Sequence, residues 1–117
     1  MLTDRANEVV NQATPSKRVS LILTVHPIGS ALNLAEDRKK RVATLSKFYS
    51  RKKQPILKHF GTYESSGLRV VNNLVGTPNL IVSAPARVWK RLMREQPKVF
   101  SDPAVEVTAN EPDFVTL

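Results

Sequence analysis

The chain contains no cysteine, which removes disulfides, thiolate metal sites and cysteine nucleophiles together. It has no apolar run near the roughly 20 residues that a membrane-spanning helix needs. The opening MLTDRANEVVNQ lacks the apolar core of a secretory signal. The expectation is a cytoplasmic protein as written, or a secreted one whose export signal has been removed. Glycine is scarce, and Gly29, Gly61, Gly67 and Gly76 stand apart as stops and turns, so there is no glycine-rich phosphate loop. The two histidines, His26 and His59, form no His-x-x-x-His pair, and His26 reads as a polar strand end. No carboxylates pair on a periodic helix face, and Ser65-Ser66 is a loop pair rather than a nucleophile elbow. Neither an enzyme, a metal site nor a cofactor is expected.

What the chain does have is an ordinary globular composition, 41% hydrophobic and 24% charged, over 117 residues. That supports one domain with a modest core. The net charge of +8 is unevenly placed. Basic residues concentrate at Arg38, Lys39, Lys40, Arg41, Lys47, Arg51, Lys52, Lys53 and Lys58, whereas Glu106, Glu111 and Asp113 leave the C-terminal end acidic. Such a middle segment is either a nucleic-acid footprint or the solvated face of a helix. A helix that also carries an apolar stripe needs no ligand to explain its cations.

Taken in order, residues 1–16 are polar with one short apolar pair, Val9-Val10, and read as a flexible arm with one helical turn over Arg5–Gln12. In KRVSLILTVH (17–26), Val19, Leu21, Leu23 and Val25 recur with period two, and Ile22 adds an apolar residue to the other face. This is a central strand. Asn33 is a reasonable helix N-cap, with Glu36-Asp37 in the first turn. Val42, Leu45, Tyr49, Ile56 and Phe60 then form a helical stripe, flanked by Phe48 and Leu57. Pro55 predicts a break near Arg51–Gln54 and a restart, and Gly61 ends the helix. Residues 68–75 and 80–84 read as strands joined by the turn Gly76-Thr77-Pro78-Asn79. Pro85 opens a second helix in which Val88 and Leu92, with Trp89 or Met93, face inward, and Pro97 stops it. Residues 104–109 alternate as a fourth strand.

The pattern β-α-β-β-α-β, with right-handed crossovers, predicts an α+β, ferredoxin-like sandwich: a four-stranded antiparallel sheet with two helices on one face. The domain spans 17–110 and is followed by an extended tail, 111–117. The other sheet face is left for a partner. RNA-binding sheets of this kind stack bases on strand aromatics, yet the predicted strands hold no Phe, Tyr or Trp. A nucleic-acid role would fall instead to Arg38, Lys39, Lys40, Arg41, Arg51, Lys52 and Lys53.

The segments VVNNLV (70–75), LIVSAPARVWKRL (80–92), QPKVF (96–100) and VEVTANEPDFVTL (105–117), with SLILTVH as opening strand, resemble the propeptide, or inhibitor, domains of subtilisin-type serine proteases. The likeness lies in the succession of elements, and the first helix is longer and more basic than that family's. The resemblance implies an inhibitor and intramolecular chaperone whose open sheet face docks on two surface helices of the protease. Phe114, Val115, Thr116 and Leu117 would lie extended in the substrate cleft by β-augmentation. Leu117 would fill the pocket on the acyl side of the cut, and Phe114 the apolar pocket three residues earlier. Glu106, Glu111 or Asp113 would cap the N-termini of the docked helices. Two alternatives stay open: a basic nucleic-acid-binding domain, and a structural or assembly subunit that self-associates through the open face.

Overall fold

The structure, a computed structural model, describes residues 1–26, 38–74 and 76–110. Helix α1 (Asp4–Gln12) precedes strand β1 (Arg18–Val25), and the long helix α2 (Arg38–Gly61) follows. A single 3-10 turn over Glu64–Ser66 leads into β2 (Arg69–Asn72) and β3 (Asn79–Pro85). Helices α3 (Ala86–Glu95) and α4 (Pro97–Ser101) and strand β4 (Val105–Ala109) complete the order.

The four strands form one antiparallel sheet in the order β2-β3-β1-β4. This is the ferredoxin-like arrangement, with each strand pair that flanks a helix separated by a strand from the other half. Period-two alternation decides which face is buried. Val19, Leu21, Leu23 and Val25 of β1 lie opposite Ala84, Val82 and Leu80 of β3, and Val105 and Val107 of β4; all are buried. Trp89 sits where the helices meet over this face. Its ring packs edge-on against Phe60 of α2 at 6.1 Å and Phe100 of α4 at 6.4 Å, and its Nε1–H donates to the Val19 carbonyl at 2.9 Å.

Two expectations are corrected and a third is extended. The N-terminal arm is an ordered helix: Thr3 caps α1 by accepting from the Ala6 N–H at 3.2 Å, and Ala6 and Val10 join the core beside α3, β1 and β4. Helix α2 does not break at Pro55, although proline there forgoes a hydrogen bond and crowds the preceding turn at a cost of about 3 kcal/mol. Its neighbours Lys53, Ile56 and Phe60 are all buried, and that packing outweighs the local preference. Pro97 ends α3 as expected but also opens α4, where its missing N–H is no loss. The proposed N-cap Asn33 and the first-turn acids Glu36 and Asp37 lie outside the described residues, as do Val75 and the tail 111–117.

Candidate docking surface

The second face of the sheet carries Ser20, Ile22 and Thr24 from β1, Asn79, Ile81 and Ser83 from β3, and Glu106 and Thr108 from β4. The strand register places these residues together. None of the described helices packs on it; all of them contribute to the core on the opposite side. Ile22 and Ile81 are direct cross-strand partners, each partly exposed, so the centre of the face is apolar. Hydroxyls and amides ring that centre.

Several of these polar groups are held in place. Arg18 spans the face: its Nη1 donates to the Ser83 carbonyl at 3.2 Å and to Ser83 Oγ at 3.1 Å, and its Nη2 donates to the Gly67 carbonyl at 2.9 Å. Gly67 can present that carbonyl because its φ of 105° is a conformation few other residues adopt. Pro85 also lies 3.3 Å from where a Cβ would stand. Thr24 Oγ1 donates to Asn79 Oδ1 at 2.8 Å. Near the margin, His26 Nε2 and Glu106 Oε2 are 3.3 Å apart, and both side chains remain substantially exposed.

The two outer strands differ. The free side of β4 is covered by the chain's own beginning: Thr3 N–H donates to the Val107 carbonyl, and Val107 N–H to the Met1 carbonyl, both at 2.9 Å. Leu2 thereby forms a parallel bridge to Val107. Among the described residues strand β2 has no such cover, but its pairing with β3 is irregular between Val70 and Asn72. The irregularity leaves Val71 60% exposed. A short, bulged strand is a poor template for further pairing, so the broad face rather than an edge is the larger surface.

Of the residues singled out by sequence, Glu106 falls on this face. Glu111, Asp113, Phe114, Val115, Thr116 and Leu117 lie outside the described residues. The last described residue, Asn110, is fixed to β1: its N–H donates to the Ser20 carbonyl at 3.0 Å and its Nδ2 to Ser20 Oγ at 3.1 Å. Among the α2 cations, Lys39, Lys40, Arg51 and Lys52 are exposed, and Lys52 stands 5.7 Å from the Phe48 ring centre. The side chains of Arg38 and Arg41 lie outside the described residues.

Lys53 corrects the grouping. It is only 3% exposed, and its ammonium donates to the carbonyls of Asn73 at 2.6 Å and Leu74 at 3.2 Å, and to Asn73 Oδ1 at 3.3 Å. Burial holds its amine below the ordinary lysine value. It is a tie between α2 and the β2–β3 connection rather than part of a solvent-facing cation cluster. Composition alone does not mark it, because the RKK run offers three adjacent cations; the available signal is helical phase, which puts position 53 on the apolar stripe, four residues after Tyr49 and three before Ile56. Arg18 escaped notice for a similar reason: its partners Gly67 and Ser83 are far away in the chain.

Among the described residues no group of three or more His, Asp or Glu side chains could hold a metal ion, and no helix is long and apolar enough to cross a membrane. Compared with known protein families, curated proteins and solved structures, the chain matches none.

Proposed function

We propose that this domain is a protein-docking module, and specifically a propeptide-like inhibitor and folding chaperone of a subtilisin-type serine protease. The observation that carries the reading is the sheet face that no described helix covers, with the Ile22–Ile81 pair at its centre and polar residues around it. A small apolar centre inside a polar rim is the usual anatomy of a non-obligate protein interface. Glu106 lies exposed on the same face, where a carboxylate can accept from the free N–H groups at the start of a partner's helix. Strand β4 then leads from this face into the residues that would occupy the cleft. Docking by the face and insertion of Phe114–Leu117 would act as two linked contacts, the first raising the effective concentration of the second.

The test is inhibition of a panel of subtilisin-type proteases by the full chain and by a chain lacking Phe114–Leu117. Truncation is expected to weaken inhibition by on the order of a hundredfold, as loss of a central anchor does, with the thermal transition unchanged. Equal inhibition by both chains would remove the tail from the mechanism, and no inhibition by either would remove the protease. In a companion measurement, the full chain should speed recovery of activity from an acid-denatured protease.

A further inference from the structure

A groove of about 670 Å³ lies on the helical side of the sheet, between α2 and the α4–β4 connection. Its floor is the buried trio Val25, Ile56 and Val105, and Phe48 and Val99 form partly buried walls. Along α2 the lining residues run from Thr44 through Phe48, Lys52 and Ile56 to His59, successive positions on one helix face, so the groove extends for about 22 Å at about 1.5 Å per residue. A compact ligand would leave much of that length empty, whereas a chain-like one would fill it.

Charge on the rim is predominantly positive. Arg51 and Lys52 stand on the α2 wall and Lys98 on the facing wall, all exposed. None of the three has an ion-pair partner among the described residues. The acidic side chain on this rim, Asp102, has one carboxylate oxygen turned back to accept from the Ala104 N–H at 2.9 Å. The walls thus offer apolar surface along the length and cations on both sides that outnumber the one lining carboxylate by three to one among the described residues, within the size range of small-molecule sites.

We propose that this groove binds a soluble single-chain amphiphilic anion, an acyl carboxylate whose chain lies along α2 while its head group is held by Arg51 and Lys98. The surface is separate from the sheet face proposed to dock a protease, and neither proposal requires the other.

The probes are sodium octanoate and its neutral analogue 1-octanol, titrated calorimetrically into the full chain. Octanoate is expected to bind one to one with a Kd on the order of 0.1–1 mM. Octanol should bind about tenfold more weakly, because its hydroxyl can accept from Arg51 and Lys98 but carries no charge to pair with theirs. The double variant Arg51→Gln/Lys98→Gln should abolish that difference while keeping the wild-type thermal transition. Val99→Trp, which fills the groove, should weaken both probes. Equal affinity for the two probes, an octanoate affinity unchanged in the double variant, or no octanoate binding at millimolar concentration would each overturn the proposal. So would binding to phosphatidylglycerol vesicles without binding to octanoate, which would make the surface a membrane contact.

Discussion

At the scale of single residues, the most demanding position is Leu74, whose φ of 48° lies in the left-handed region. A branched side chain there costs on the order of 1–3 kcal/mol. The cost is met by a dense set of local bonds. Leu74 N–H donates to Asn72 Oδ1 at 2.9 Å, and its carbonyl accepts from Thr77 Oγ1 at 2.7 Å, from Thr77 N–H at 3.0 Å and from the Lys53 ammonium. Lys53→Met keeps the apolar stem of the side chain but leaves the Asn73 carbonyl without its 2.6 Å donor. The expected loss is about 1–3 kcal/mol, read as a fall of several degrees in Tm. An unchanged Tm would show that water replaces the ammonium without cost. The sign with pH is also defined. Lys53 is held below its ordinary value of 10.5, so the burial penalty is fully present below its folded pKa and fades as pH rises toward 10.5.

At the scale of elements, the connection after α2 is secured to α3 by Tyr63. Its hydroxyl donates to Glu95 Oε1 at 2.6 Å, and Arg91 both lies 5.3 Å from the ring centre and donates from Nε to Glu95. The hydrogen bond to Glu95, first, and then burial raise the Tyr63 phenol above 10.0. The same bond, helped by Arg91, lowers the Glu95 carboxyl below 4.5. The raised phenol contributes stability that is fully present below 10.0 and lost as pH climbs through the folded value. The lowered carboxyl contributes stability present above 4.5 and lost as pH falls through its folded value. Tyr63→Phe should therefore lower Tm most between these limits, with the gap to wild type narrowing toward both extremes. A gap independent of pH, followed by thermal melts from acid to alkaline buffers, would show that the hydroxyl acts only by packing.

Legibility differed between elements for physical reasons. Strands β1 and β4 could be located from alternation, because each has one face buried, whereas β3 shows only as a short apolar run after the turn at 76–79; the sheet follows from their order. Helix α1 is legible as a helical turn over Arg5–Gln12 but not as part of the core, because it buries only one short side of its surface: Ala6 and Val10 are fully covered while most of its other residues face water. Its best signal was Thr3-Asp4, a cap followed by an acid in the first turn. Pro55 misled because local preference says nothing of the packing on either side of it. The docking face was visible in part, since Ile22 interrupts an otherwise polar second face, but Ile81 lay within a continuous apolar run that has no phase of its own. The groove beside α2 could not be seen at all, as it joins residues from both ends of the domain.

For the molecule as a whole, the question is whether the cations of α2 or the apolar centre of the sheet face govern association. Ile22→Lys places an ammonium at the centre of the face. The position is partly exposed, so the fold should survive with a cost of about 1 kcal/mol or less, while inhibition of the protease should fall by on the order of a hundredfold. Salt then separates this mechanism from nucleic-acid binding by α2. If Lys39, Lys40, Arg51 and Lys52 neutralised phosphates, the logarithm of affinity would fall by about 0.9 per contact for each tenfold rise in salt. With four contacts, raising salt from roughly 50 to 200 mM would cost about a hundredfold. Docking through Ile22 and Ile81 releases few counterions, so inhibition should change by less than about threefold over the same range. Charge reversal at Lys39 and Lys40 should leave it unaltered. A steep salt dependence that disappears in the Lys39→Glu/Lys40→Glu chain would transfer the association from the sheet to the first half of α2.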